Sequence, residues 1–141
     1  MSVQITHYSG IDGTPAVALA LRGQYEMIND GGEQAVGLHH SYNGILASID
    51  GKAVGVIIWF EQKDSHRLWL QLGYVLPEHR RNGIYNMLWD QLVDKARKLG
   101  ASAIWSGTAI GNDAMRAVAR KQGRKEIAVS LKFDVPELAR Q

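Results

Sequence analysis

No cysteine occurs anywhere in the 141 residues. Disulfide frameworks, thiolate zinc sites and cysteine nucleophiles are therefore excluded, and nothing marks an oxidising compartment. Long apolar runs are missing too: none approaches the ~20 residues of a membrane span. The opening "MSVQITHYSG" lacks the charged flank and apolar core of a signal peptide. A cytoplasmic protein that neither inserts into nor crosses a bilayer is expected. A strong charge of one sign is also absent, since 16 Lys and Arg stand against 14 Asp and Glu, for a net charge of +2. Although the isoelectric point is about 9.0, that balance does not require a nucleic-acid partner. There is no internal repeat, low-complexity run or linker, so no boundary is drawn and residues 1–141 are read as one domain. What is present, 45% hydrophobic and 21% charged residues, describes an ordinary soluble domain with one compact core.

The order of elements follows from periodicity and punctuation. "VQITHYS" alternates as a short strand. In "GTPAVALALRGQYEMINDGG", Thr14 is placed to cap a helix with Pro15 at its first position, and Val17, Leu21 and Ile28 fall on one face. Gly23 is expected to weaken that helix. "EQAVGLHHSYNG" has no clear period and reads as a short helix or an irregular connection. A hairpin follows in "ILASIDGKAVGVIIWFEQ", turning at Asp50-Gly51 into a strand apolar on both faces. "RLWLQLGYV" is a further strand, with Leu68, Leu70, Leu72 and Tyr74 opposed to Trp69, Gln71, Gly73 and Val75. Ile84, Leu88, Leu92 and Leu99 form the stripe of a helix that stops at Gly100. "ASAIWSGT" reads as a strand, "NDAMRAVARKQG" as a helix capped by Asn112, and "EIAVSLKFDV" as a final, cleanly alternating strand.

"PEHRRNGI", between a buried strand and a helix, is where chemistry is expected. Unpaired amides and the positive end of the helix dipole converge there. Gly83 permits a tight turn, and Arg80 and Arg81 supply donors for phosphate oxygens. An anion, most simply a phosphate or pyrophosphate, is one reading. An ordinary strand-to-helix turn with solvated arginines is the other.

From Tyr74 to Gly123 the sequence resembles the Gcn5-related N-acetyltransferases (GNAT). Their pyrophosphate loop follows the pattern Gln or Arg, any, any, Gly, any, Gly or Ala. Arg80, Arg81, Asn82, Gly83, Ile84 and Tyr85 occupy it, with Val75, Pro77 and Glu78 where relatives often carry "V-x-P-E". Asn112 and Gly123 match the frame of the family's later helix. The resemblance implies a mixed, mainly antiparallel α/β sheet with helices on both faces. It implies acetyl-CoA as co-substrate, its pyrophosphate held by the backbone amides of Arg81 to Tyr85. The end of the strand from Gly73 through Tyr74 to Val75 would pair with pantetheine and polarise the acetyl carbonyl, and Asn112 belongs to the same implied coenzyme set. An amine of a small molecule or protein would attack the thioester directly, with neither a covalent enzyme intermediate nor a metal.

Three departures bear on activity. Tyr85 replaces the loop's final Gly or Ala: aimed at the pyrophosphate it would obstruct, and aimed sideways, the outcome expected here, it could stack on or hydrogen-bond the coenzyme. Ala119 stands where many relatives have a tyrosine that protonates the departing thiolate, and Trp69 where some carry a glutamate base. Replacement bases are sought in the segment without clear period, at His40, His39 and Glu33, with Tyr42 beside them and Ser106, Tyr74 and Gln71 as lesser candidates. Solvated or packing histidines are the ordinary alternative. The four tryptophans suit packing, and the basic residues from Arg116 to Lys125 suit a solvated helix face as well as an acidic or phosphate-bearing partner. The sequence thus points to an N-acetyltransferase; a family member that has lost catalysis and acts in binding or structure is the alternative, and a nucleic-acid binder is disfavoured by the modest charge.

Overall fold

The computed structural model describes residues 2–30 and 36–137 of the chain. They form two compact units, Met1–Gly107 and Thr108–Gln141, described in turn.

The first unit holds strands β1 (Val3–Ser9), β2 (Asn43–Ile49), β3 (Lys52–Gln62), β4 (Arg67–Val75) and β5 (Ala103–Ser106) in that spatial order. The first four run antiparallel, while β5 joins β4 in parallel, as the crossover through a helix requires. The β2–β3 hairpin turns at Asp50 and Gly51, both at positive φ. Helix α1 (Pro15–Asn29) follows β1, and α2 (Ile84–Leu99) joins β4 to β5. The glycines show which face each helix covers. A Cβ on Gly44 of β2 would meet Ala16, and one on Gly23 of α1 would meet Tyr74 of β4. A Cβ on Gly55 of β3 would meet Ile84 and Leu88 of α2. Because Tyr74 and Val75, like Gly55 and Val56, point to opposite sides of the sheet, α1 and α2 lie on opposite faces. This is the expected mixed, mainly antiparallel α/β sheet. The interior of β3 from Val54 to Trp59 is buried throughout, which explains its unbroken apolar run.

The inward face of α1 differs from the expected one. Ala16, Leu19, Ala20, Gly23 and Gln24 are buried, whereas Leu21, Tyr25 and Ile28 are exposed. Small side chains win the sheet because the helix backbone approaches β4 closely at Gly23, which neither kinks nor ends the helix. In α2, Ala96 replaces Leu99 as the last buried residue of the stripe.

The second unit contains α3 (Asp113–Lys121), capped by the Asn112 carboxamide, which accepts from the Met115 amide at 3.1 Å. Arg116 binds the Glu126 carboxylate through two nitrogens, at 2.7 and 3.0 Å, and donates to the Ile110 carbonyl. The strand expected from Glu126 to Val135 is not formed: residues 124–137 have no regular secondary structure, and from Glu126 on all are exposed. Alternation specifies which side chains share a face, but a strand exists only where a neighbour supplies the ladder.

Candidate active site

The site is built where β4 parts from β5. The parallel ladder runs from Arg67 opposite Ala103 to Leu70 opposite Ser106 and stops there. At that level β4 is bulged: Ile58 pairs with Leu72 and Trp59 with Leu70, leaving Gln71 as the extra residue. The bulge sits where β5 ends, and β4 runs on past Leu70 without β5 beside it, leaving a fork. The paired end is tied by the Arg67 guanidinium, 3.8 Å above the Trp105 ring, and by Ser102, whose amide donates to the His66 carbonyl at 2.8 Å. Beyond the bulge, Leu76 donates to Val54 of β3 at 2.9 Å. Antiparallel alternation then turns the backbone groups of Tyr74 toward β3 and those of Gly73 and Val75 toward the open side of the fork. The Val75 carbonyl is occupied, accepting from Arg80 Nε at 2.9 Å.

A loop carries the chain from this open edge into α2. Pro77–His79 make one 3-10 turn, Arg81 adopts φ 66°, and Gly83 is the N-cap with φ 77°. The helix start differs from the other two. Thr14 Oγ1 accepts from Val17 at the start of α1 and Asn112 Oδ1 from Met115 at that of α3, but Gly83 has no side chain to do so. A Cβ on Gly83 would meet nothing within 4 Å. The positive end of the α2 dipole thus lies at a start where the capping residue itself brings no side chain.

The two arginines of the loop differ in role. Arg80 is held: its Nη2 donates to Glu26 Oε1 of α1 at 2.6 Å, while Glu26 Oε2 accepts from the Tyr74 hydroxyl. The Tyr74 hydroxyl foremost, and Arg80 with it, keep the Glu26 carboxyl below its ordinary range against the opposing effect of burial. Burial, and then the Glu26 hydrogen bond, push the Tyr74 phenol up. Arg80 therefore fastens the loop to α1 and to the end of β4, whereas Arg81 is exposed. Sequence reasoning missed Glu26, because a glutamate on a helix face carries no signal until the partners from β4 and the loop are known.

Tyr85 points sideways. Its Cε1 would lie 2.7 Å from a Cβ on Gly73, so the ring fills the place of that missing side chain on the α2 face of β4. Ile84 is buried, anchoring the helix start. Asn82 lies exposed in the loop. Asn112 belongs to the second unit, where its carboxamide is engaged as the α3 cap.

Among the candidate bases, Glu33 lies outside the described residues. His39 and His40 occupy an irregular stretch and are exposed, their ring centroids 4.3 Å apart. His39 Nδ1 lies 2.7 Å from Ser41 Oγ. The stretch is tied down at three points. Gln24 of α1 donates to the Val36 carbonyl, Gln71 Nε2 to Gly37 at 2.9 Å, and the Ile11 amide to His40 at 3.1 Å. Gln71 also accepts from Trp69 Nε1 at 2.8 Å, so the bulge residue links the fork to the histidine segment. Trp69, where a glutamate base was sought, contributes that donor and no base.

The family model described as the acetyltransferase (GNAT) family matches residues 16–123. The chain belongs to this family. Among solved structures, a GNAT-fold aminoglycoside acetyltransferase from an uncultured soil metagenomic sample is 25% identical, with TM-score 0.70 over 97% of this chain and 99% of that one. A ribosomal-protein-alanine N-acetyltransferase from Brucella melitensis biovar Abortus 2308 is 20% identical, with TM-score 0.67 over 95% and 99% of the two chains. An aminoglycoside N-acetyltransferase solved in complex with CoA is 17% identical, with TM-score 0.64 over 96% and 99%. No curated protein matches by sequence.

Proposed function

We propose that this GNAT chain is an N-acetyltransferase that takes its acetyl group from acetyl-CoA and delivers it to an amine. The observation that carries this reading is that β4 runs on past its ladder with β5 beside a loop that enters α2 through Gly83, an N-cap at φ 77° with no side chain. The residues fit the coenzyme: a glycine cap at positive φ on a helix start suits a pyrophosphate, and the end of β4 beyond its ladder with β5 suits an extended amide-bearing arm. Amides from Arg81 through Asn82, Gly83 and Ile84 to Tyr85 would hold the pyrophosphate, with the Arg81 guanidinium adding charge. Bound acetyl-CoA supplies an acyl group activated as a thioester. The Gly73 amide, turned toward the open side of the fork, is placed to donate to a carbonyl oxygen there; removal of one such donor typically costs ~3 kcal/mol of transition-state stabilisation.

The acceptor amine must lose its proton. Glu26 is a weak candidate for this work, since its carboxyl is held below the ordinary range by Tyr74 and Arg80. His39 and His40 are better suited chemically, and their support is the Gln71 side chain, which fastens their segment to the bulge through Gly37. Relatives act on aminoglycosides in one case and on a ribosomal-protein alanine in another, so the acceptor proposed is an amine of a small molecule or a protein. Two residues favour a second reading, a coenzyme-binding module without turnover: Ala119 in place of the tyrosine acid, and Trp69 in place of the glutamate base.

Melting with and without acetyl-CoA tests the site, because ligand at a hundred times its dissociation constant adds ~2.7 kcal/mol. No shift at millimolar coenzyme would overturn the assignment. Free-thiol release over a panel of small amines and N-terminal peptides then separates turnover from binding alone.

A further inference from the structure

The Arg80 clamp sits one residue before a constrained point of the loop. Arg81 adopts φ 66°, in the left-handed region that L side chains disfavour. Such a conformation persists only where its surroundings over-determine it. Its neighbour supplies that constraint. Arg80, extended at φ −70° and ψ 158°, is fixed at two nitrogens: Nε donates to the Val75 carbonyl at 2.9 Å, at the end of β4, and Nη2 to Glu26 Oε1 at 2.6 Å, on α1. Its Cζ stands 5.6 Å from the centre of the Tyr74 ring. Glu26 owes its own place to Gly23. Where α1 crosses β4, Gly23 has no Cβ to meet that ring, and one helical turn further on, Glu26 accepts from the hydroxyl at the ring's far end. With one oxygen on the phenol and the other on the guanidinium, the carboxylate is oriented by both. The contacts close a circuit from Tyr74 through Glu26 and Arg80 to Val75, the residue next to Tyr74 in the chain.

We propose that Glu26 is a positioning residue for the coenzyme loop: by holding Arg80 it keeps Arg81 left-handed, and so sets the affinity for acetyl-CoA without touching it. The proposal rests on the reading that the backbone from Arg81 to Tyr85 holds the pyrophosphate. A left-handed residue within a turn is what aims successive amides at one point, so a relaxed Arg81 would turn the amides after it away from a shared anion. The two arginines then divide the work. Arg80 is a strut, engaged by Glu26 and Val75, and the exposed Arg81 supplies charge. Apparent affinity falls with the fraction of molecules whose loop is in the binding form; releasing one left-handed residue lowers it on the order of tenfold.

Calorimetric titration of the full chain with acetyl-CoA tests this, at a temperature where circular dichroism shows each variant folded. Glu26→Gln keeps an acceptor for the Tyr74 hydroxyl but removes the charge that holds the guanidinium, and should raise Kd about tenfold. Arg80→Ala should do the same, and the double variant no more than either, because both break one strut. Arg81→Gly supplies the deciding background. Glycine takes a positive φ unaided, so there Glu26→Gln should change Kd by less than about twofold. A Glu26 that only stabilised the fold would be indifferent to the residue at 81. A parent that does not bind acetyl-CoA removes the reading of the site and this proposal with it, whereas a parent that binds and a Glu26→Gln variant equal to it remove the proposal alone. It is also overturned if Glu26→Gln costs the same in both backgrounds, or if it lowers kcat with Kd unchanged, which would make Glu26 a base. Should Glu26→Gln fail to fold, Arg80→Ala carries the same comparison with and without Arg81→Gly.

Discussion

Replacing Gly23 by alanine sets two effects against each other, and the structure decides the sign. In an exposed helix interior the change would stabilise by ~1 kcal/mol, because glycine pays more backbone entropy. At this position the new Cβ would lie 2.6 Å from Tyr74 Cγ, 2.8 Å from Cδ1 and 2.9 Å from Cβ. These atoms are the near end of a buried ring whose far end is fixed to Glu26, so the ring cannot swing aside without moving β4 or breaking that hydrogen bond. Overpacking of this kind costs ~1–3 kcal/mol, and three contacts below 3 Å place it in the upper half of the range. The net expectation is a loss of ~1–2 kcal/mol after the helix gain is subtracted, or roughly 2–8 °C in Tm for a chain of this size. Urea unfolding of Gly23→Ala alone and in a Tyr74→Ala background measures it. With the ring removed, Gly23→Ala should instead stabilise by ~1 kcal/mol. A Gly23→Ala protein as stable as the parent would refute the close approach of α1 to β4.

Other expectations concern the loop, the clamp and the second unit. Gly83→Val, at φ 77°, should cost ~1–2 kcal/mol and abolish the melting shift with acetyl-CoA, read by thermal denaturation with and without the ligand. Glu26→Gln should be less stable than the parent near neutral pH. The carboxyl is held below its ordinary value of 4.5, so its contribution is present above that value and lost as pH falls through the lower folded one; the two stability curves should converge as pH falls below it. Curves that stay parallel from pH 7 to 3 would remove Glu26 from the clamp. Asn112→Ala should cost ~1 kcal/mol as a lost cap, seen as faster hydrogen exchange at the Met115 amide with the first unit unchanged.

Much of the first unit was legible because its signals are local. Asp50-Gly51 fixes the hairpin, the unbroken apolar run of β3 announces a strand covered on both sides, and Pro77 to Gly83 spell the loop. The face of α1 was not, because the helix carries two apolar stripes. Periodicity favours the one with larger residues, while the sheet takes the one with alanines and Gly23, where backbones can approach. The last segment shows the converse failure: its alternation is the clearest in the chain, yet pairing depends on a partner that the alternation does not name. At the site, the loop between β4 and α2 could be placed from Pro77 and Gly83. The different fates of Arg80 and Arg81 depend on Glu26, 54 residues away from Arg80 in sequence, and on Tyr74, which no local pattern connects to it.

The fork has one short prong. Strand β5 contributes four residues to the sheet, and none of them is fully buried, so its hold on β4 rests on a brief ladder, the Arg67–Trp105 contact and the Ser102 tie. Segments with so few interior contacts open at a smaller free energy than the molecule as a whole. Here such an opening would lengthen the slot from its closed end without disturbing the loop at α2. If the fork holds an acyl group as proposed, a change at Arg67 or Trp105 would alter the length of the slot from its closed end without touching the loop at α2.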